Sequence, residues 1–552
     1  MNMGDELANI VKGEVATDDL ALEAASHDAS LFELRPQAVV ATRDANDIKA
    51  LVHYVTTHRV SQPDLSLTVR SAGTDMSGGA VNTSIIIDVK PHMNSIHEVT
   101  STEAHVQPGV YFRDFDEKTK QLGAMLPSYP ASRDLCTIGG MVANNSGGEK
   151  SLRYGKTADY VTELKIVLAD GNEYTVTPLK KDALVRKMSQ KDYEGRLYKS
   201  IFDLCETHYD EIKAAKPHVT KDSTGYHLWD VWDRETGIFD LSKLIVGSQG
   251  TLGIITEFRV RLVERPAHSG LLVLFLRDID SLGELINTVL THEPASFESF
   301  DDATLLLSIK FMPYFLKMLG PKKFIQLLIG LVPDGLQLLS GIPKMVLMVE
   351  FTDVSEQGVR DKVRKLHQEL KHLRGRYEIN GFEEDPTEGK AEKFWIMRRH
   401  SFNLLRSKVK DKHTAPFIDD FIVPPPKLPE FLPKLRQIIK KYKLFATIQG
   451  HIGDGNFHVI PLMNIELESE RQKLKPAMVE VNETVLAMGG SLSGEHNDGM
   501  IRGPWLERMY GPTVYGYMKE VKNTFDPDNI FNPHKKTDAT WDYSFSHIRK
   551  NF

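Results

Sequence analysis

Short β-prone apolar runs alternate with stretches of helical spacing along the first third of the chain. Residues 37–41 are apolar and β-prone, and 45–58 repeat apolar positions at Ile48, Leu51, Val52 and Val55, which predicts a helix. Strands are predicted at 65–69, 84–89 and 161–168, the last closed by the turn pair Asp170-Gly171. A strand-like run at 243–246, a glycine-rich turn and a strand at 254–262 lead to Pro266, where composition shifts and a domain boundary is expected. Beyond it the pattern predicts strands at 270–276 and 345–351, a charged helix at 357–374 read as a solvated face, and a helix at 430–442 after the loop PPPKLP. No fixed-period repeat or low-complexity tract interrupts this order.

The most informative local pattern is LFATIQGHIGDGNFHVIPLM, residues 444–463. Two β-prone runs flank Asp454-Gly455, a pair favoured in two-residue hairpin turns. With that pair at the turn centre, His451 faces His458 and Asn456 faces Gly453 on opposed strands. Two imidazoles so placed can share one metal ion, or simply hydrogen-bond as a structural pair; spacing alone leaves both open. Glu495 and His496, in the glycine-flanked run SGEHNDG, are candidates for a third ligand and for a general base. Two histidines and a carboxylate suit Zn, Mn and Fe alike and leave positions open for a substrate hydroxyl.

Three glycine-rich stretches, at 70–79, 139–148 and 247–253, lie between predicted strands. Such turns present backbone amides to an anion such as a pyrophosphate, although a single one is usually only a turn. No GxGxxG occurs, and in RYGKT at 153–157 a lysine, Lys150, stands where a P-loop needs its first glycine, so Rossmann and ATP sites have no support.

Composition narrows the classes. The chain has 552 residues, 41% hydrophobic and 26% charged, which suits two or three ordinary globular domains. A formal net charge of -7 gives no basic footprint for nucleic acid. Its 2 cysteines, Cys136 and Cys205, cannot build a disulfide framework or an iron–sulfur cluster, and the polar, acidic opening carries no signal-like stretch, so a cytoplasmic location is expected. Residues 309–351 are rich in large apolar side chains but broken by Pro313, Pro321, Pro333 and Pro343. They read either as short buried helices or, over 309–345, as a surface resting peripherally on the inner face of a membrane, with Lys317, Lys322 and Lys323 reaching toward headgroups.

Six of these motifs together resemble the FAD-linked oxidase and dehydrogenase family of vanillyl-alcohol-oxidase (PCMH) type, in its D-lactate, glycolate and D-2-hydroxyglutarate dehydrogenase branch. In order they are RSAGTDMSGG (70–79), PSYPASRDLCTIGGMVANNSGGEKSLRYG (127–155), GSQGTLGIITE (247–257), GHIGDGNFH (450–458), SGEH (493–496) and FDPDNIFNPHK (525–535). The resemblance implies an α+β fold: an N-terminal segment at 1–31, a bipartite FAD-binding domain at 32–266, an α+β substrate domain at 267–536 and a tail at 537–552. It implies non-covalent FAD on Arg70, Ser71, Ala72, Gly73, Thr74, Asp75 and Ser77 around the pyrophosphate. Pro127, Ile138, Gly139, Gly140, Asn144, Gly147, Gly155, Ile255 and Asn532 would line the rest of the cofactor. It further implies a divalent metal on His451, His458 and Glu495, His496 as base, Arg398 on the substrate carboxylate, and Asn456 within the catalytic set.

The implied activity is oxidation of a D-2-hydroxy acid, D-lactate ahead of glycolate and D-2-hydroxyglutarate. Electrons would leave to a quinone, a cytochrome or an electron-transfer flavoprotein, or to oxygen. Two departures bear on this: Gln249 replaces a common glutamate, and Ile418, in PFIDDFIVP, stands where the D-2-hydroxyglutarate branch has a lysine. Asp75 and Cys136 do not match the positions that tether flavin covalently in relatives. The competing readings are a flavin-free metal-dependent hydrolase on the same hairpin and a ligand-binding or membrane-associated adaptor that has lost activity.

Overall fold

The helical spacing at 45–58 is realised as the helix Ala45–His58 in the computed structural model, which describes residues 2–310, 341–385, 394–398 and 412–550. Asp44 caps this helix by accepting from the Asn46 and Asp47 amides, satisfying donors the first turn cannot pair. Its apolar stripe of Ile48, Leu51, Val52 and Val55 is fully buried against a four-stranded sheet. That sheet runs Glu14–Ala16, Ala38–Ala41, Ile85–Asp88, Leu67–Arg70, with the first pair antiparallel and the rest parallel.

A second lobe holds a five-stranded antiparallel sheet in the order Ile96–Val99, Glu103–Val106, Ile254–Arg261, Val161–Val167, Glu173–Val176. Strand Ile254–Arg261 alternates buried and half-buried residues, as expected of a sheet with one covered face. The run at 243–246 is not a strand. Ser242–Ile245 forms one helical turn with Leu244 and Ile245 buried, because four apolar residues suit a buried helical turn as well as a strand.

From His268 onward the chain builds a larger antiparallel sheet. Its order is Ile379–Asp385, His268–Leu276, Met345–Asp353, Ser296–Asp301, Phe445–His451, Asn456–Met463, His413–Thr414, with Phe421–Ile422 also pairing to Asn456–Met463. The two centre strands His268–Leu276 and Met345–Asp353 are buried almost end to end, since helices cover one face and a smaller apolar cluster with Phe394 and Met397 the other. The charged helix, Glu356–His372, is not wholly solvated: Val359, Val363, Leu366 and Leu370 line its inner face against the sheet. Helix Leu506–Phe525 then returns Val514, Met518, Val521 and Phe525 to the core of the second lobe, and Ile530 and Phe531 join the first. No helix among the described residues is long and apolar enough to cross a membrane, and most of the 309–345 stretch falls outside those residues.

Candidate active site

The histidine hairpin forms, but in a different register from that expected of a two-residue turn. His451 pairs with Asn456 and Gln449 with His458, so the histidines sit diagonally rather than directly opposite. Residues Ile452–Asp454 make a single helical turn, closed by Gly455 at φ 71°. Two interactions enforce this. Asp454 is drawn into the protein, 3.1 Å from the buried Lys221 ammonium, and a side chain on Gly455 would meet the Val423 carbonyl at 1.9 Å. Because the shift is an even number of residues, both imidazoles stay on one face. Their ring centroids are 5.4 Å apart and nearly perpendicular. Gly455→Ala is expected to destabilise the fold by about 1–3 kcal/mol, through the positive φ and the clash, and to weaken any metal binding at the hairpin with it. Thermal melting and zinc titration check this; an unchanged midpoint with parent-like zinc binding would show that the turn does not hold the histidines.

Carboxylates fix both rings. Glu298 opposes His451 across the strand pair Ser296–Asp301 and Phe445–His451, and its Oε1 lies 2.8 Å from His451 Nδ1. The Nε2 edge of His451 is thereby aimed at Glu495 Oε1, 3.3 Å away. Asp419 contacts His458 Nδ1 at 3.2 Å and His496 Nδ1 at 2.8 Å, and those two rings stack with centroids 5.1 Å apart. A carboxylate on Nδ1 leaves Nε2 of a neutral imidazole as an acceptor, the arrangement of metal-binding and general-base histidines.

Asp420, at φ 67°, holds the SGEH segment from below. Its carboxylate accepts from Ser493 Oγ at 2.6 Å, from the Glu495 and His496 amides at 2.9 and 2.7 Å, and from Asn456 Nδ2 at 3.1 Å. Asp420, His458, Glu495 and His496 place ligating atoms within 4.8 Å of one another. Asp420 is already saturated by these donors, and the expected triad of His451, His458 and Glu495 is not itself such a converging group: His451 reaches Glu495 at 3.3 Å, while Glu495 also pairs with Lys221 at 2.7 Å. Asn456 is fully buried beside Asp420, and its Oδ1 finds no donor among the described residues.

The charge balance also fits a cation. Burial works against ionisation of His451, but Glu298 and Glu495 outweigh it and raise the imidazole above its ordinary pKa. For His496 burial is likewise overcome, by Asp420 and Asp419, which lift it to about 9. Glu495 is held well below the usual carboxylate range against its burial, by His451 and Lys221, and Asp419 is held low by His496 and His458. A cluster this rich in buried carboxylate gathers protons onto its histidines, or takes a metal in their place.

Arg398 is buried and ion-paired with Glu298, and its guanidinium lies 3.5 Å from His451 Nδ1. It therefore stands at the edge of the donor set. Ile418 is 1% exposed and packs in the core, directly before Asp419.

The glycine-rich loops meet this centre from the N-terminal half. Gly147 has no room for a side chain beside Ser151 Oγ at 2.8 Å, and Glu495 lies 3.5 Å from the same point, which ties the long 127–155 motif to the candidate metal centre. Gly139 packs on Pro108, while Ser71 lies beside Gly140; Pro127 and Ile138 are buried. Ser71, Ala72, Gly73 and Thr74 form a half-buried strip of backbone, which fits an anion held by main-chain donors. Asp75 does not point outward. It accepts from the Ser77 and Gly79 amides at 3.0 and 2.7 Å and from Asn144 at 2.9 Å, so it shapes its own loop. Arg70 is spent on the Ala80 and His27 carbonyls.

Gln249 donates to Ser77 at 2.9 Å and Asn144 at 3.2 Å and accepts from the Gly499 amide at 2.8 Å, joining three motifs at one side chain. Asn532 ties the 525–535 motif to the same region, donating to the Gly79 and Gln249 carbonyls and accepting from Thr68 Oγ1. Gly155 adopts φ 76° against Asp159, and Ile255 is half-buried on strand Ile254–Arg261.

Glu298, Asp419, Asp420 and Lys221 also line this site, and Glu298 and Lys221 carried no signal of their own in the sequence. Asp419 and Asp420 lie within PFIDDFIVP, where a carboxylate pair between two apolar runs is the one cue that points to them.

Comparison with known proteins accords with this architecture. The family model "FAD linked oxidases, C-terminal domain" matches residues 265–536, and "FAD binding domain" matches 36–177. A D-2-hydroxyglutarate dehydrogenase of Pseudomonas putida is 27% identical over 95% of this chain, which spans 50% of that relative's length. The glycolate oxidase subunit GlcD of Bacillus subtilis is 28% identical over 92% of this chain and 91% of its own. Among solved structures, 4-ethylphenol oxidase from Gulosibacter chungangensis has the same fold, with a TM-score of 0.67 and 15% identity over 97% of this chain and 96% of that one. The class is therefore an FAD-binding oxidoreductase of two-domain α+β architecture. Within it, the chain belongs to the FAD-linked oxidases, whose two domain models between them match residues 36–177 and 265–536. The flavin-free hydrolase reading falls with that match.

Proposed function

We propose that the chain oxidises a small D-2-hydroxy acid, D-lactate first among them, to the 2-oxo acid. The observation that carries the reading is the convergence of His458, Glu495 and His496, with His451 3.3 Å from Glu495, beside the glycine-rich loops of the N-terminal half. When bound, FAD supplies the hydride acceptor and a divalent metal on His451, His458 and Glu495 supplies Lewis acidity toward the substrate hydroxyl. His496, which Asp420 and Asp419 bias toward imidazolium in the metal-free cluster, would take the hydroxyl proton at its Nε2 once a cation on the neighbouring donors displaces that charge, with Asp419 beside Nδ1 stabilising the imidazolium that results. Arg398 offers the guanidinium that receives the substrate carboxylate, held in place by Glu298. The buried Ile418 gives a second, distal carboxylate no cation, which favours lactate over a dicarboxylate. The two relatives bear the names of enzymes or subunits for D-2-hydroxyglutarate and glycolate, and both compounds are 2-hydroxy acids.

The test is anaerobic bleaching of the flavin by a panel of 2-hydroxy acids in both enantiomers. D-lactate is expected to bleach the flavin bands within seconds at millimolar concentration, with L-lactate slower by at least about 100-fold, a discrimination of roughly 2.7 kcal/mol. A flavin that no D-2-hydroxy acid reduces would overturn the reading. Bleaching by D-2-hydroxyglutarate alone would overturn the assignment of chain length.

A further inference from the structure

A second pair of histidines meets a carboxylate on a different sheet. On strand Glu103–Val106, Ala104 and Val106 are buried, so His105 projects from the opposite, wetter face. Its partner across the adjoining strand is Arg259, and Glu257 lies two residues along on that same face. On its other side a bulge between Ile96 and Glu98 inserts His97 as an extra residue at the sheet's edge strand. The bulge brings the His97 and His105 rings to 4.7 Å between centroids. Nε2 of His105 is 3.1 Å from one Glu257 oxygen, and Nε2 of His97 is 3.6 Å from the other. The ligating atoms of the three residues all lie within 4.8 Å of one another.

An ordinary ion pair does not require this arrangement. Lys165, 2.8 Å from Glu257, already matches its charge, yet two imidazoles also converge on it. The surrounding face is acidic. Arg259 is engaged by Glu98, Glu103 and Glu163 at 3.5, 2.8 and 3.6 Å, so with Glu257 the carboxylates outnumber Lys165 and Arg259. A cation is therefore favoured there.

We infer that His97, His105 and Glu257 form a second metal site, which takes a zinc-class divalent cation from solution. Two imidazole nitrogens and one carboxylate oxygen are a zinc-type donor set with positions left for water. Lys165 is flexible and part-exposed, and on binding it gives up its Glu257 contact and turns to solvent. The ion joins three adjacent strands, Ile96–Val99, Glu103–Val106 and Ile254–Arg261, and so clips the edge strand to the middle of its sheet.

The experiment titrates Zn2+ into metal-depleted, FAD-loaded protein and compares the parent with His97→Ala, His105→Ala, Lys165→Met and His458→Ala. The parent is expected to retain two equivalents after desalting, and His97→Ala and His105→Ala one each. His458→Ala loses the other equivalent, which separates this site from the hairpin centre. Lys165→Met, which removes the competing cation, is expected to tighten binding several-fold. Amide hydrogen exchange over 96–106 is expected to slow with Zn2+ in the parent and not in His105→Ala. Full zinc retention in His105→Ala, or exchange over 96–106 indifferent to Zn2+ in the parent, overturns the assignment. Retention of all zinc by His458→Ala would count against the hairpin centre alone.

Discussion

His496→Ala is expected to lower kcat for D-lactate by roughly 10²–10⁴-fold, the range for removing a positioned general base. The flavin spectrum and the metal content should be unchanged. His496 is not among the metal ligands proposed above, and its Nδ1 lies 2.8 Å from Asp419. Its backbone amide, which the substitution keeps, is what Asp420 grips at 2.7 Å, so the SGEH segment retains its course. KM should move by only a few-fold, because carboxylate binding is assigned to Arg398. Stopped-flow reduction of the flavin isolates the affected step. Reduction at the parent rate would remove His496 from the proton transfer, whereas a variant that loses FAD would show the residue to be structural.

The parts of this molecule that the sequence discloses are those fixed by local periodicity or by turn chemistry. Helix Ala45–His58 coincides with its expected span because Asp44 caps it and its apolar stripe is uninterrupted. The hairpin's existence was equally legible from two β-prone runs around Asp454-Gly455. Its register was not. The turn is set by Lys221, far away in sequence, which draws Asp454 inward, and by the Val423 carbonyl pressed against Gly455. Glu298 was invisible for a related reason. Nothing in SFESFD distinguishes it, and it becomes the partner of His451 only because the sheet order sets Ser296–Asp301 beside Phe445–His451. Likewise the side chains of Asp75 and Arg70, which look like cofactor contacts in a glycine-rich loop, are engaged by backbone: Asp75 by that loop's own amides and Arg70 by the Ala80 and His27 carbonyls. The local pattern thus names which residue types converge, while the long-range pairings decide which of them face the ligand.

Asp419→Asn should have an effect as large as loss of the base itself, and by a different route. The carboxylate of Asp419 lies against two rings at once: it hydrogen-bonds His458 Nδ1 at 3.2 Å and ion-pairs with His496 Nδ1 at 2.8 Å. In the neutral imidazoles, that carboxylate favours the proton on Nδ1 and the lone pair on Nε2, where a metal or a substrate proton could be met. An asparagine in the same rotamer can offer an N–H to one of the rings instead. That ring must then place its proton on Nε2, the wrong tautomer for either role. Loss of an orienting carboxylate beside a metal ligand typically lowers metal affinity by about 10–100-fold, and the same exchange beside a catalytic histidine lowers turnover by about 10⁴-fold. Asp419→Asn is therefore expected to need about 10–100 times more metal for half-occupancy and, at saturating metal, still to turn over at least about 10³ times more slowly. Asp419→Glu keeps the accepting carboxylate and should recover part of both losses. A variant with the parent's metal affinity and rate would show that neither ring depends on Asp419 for its tautomer. A merely structural role would depress melting in Asp419→Asn and Asp419→Glu alike, without separating metal affinity from turnover.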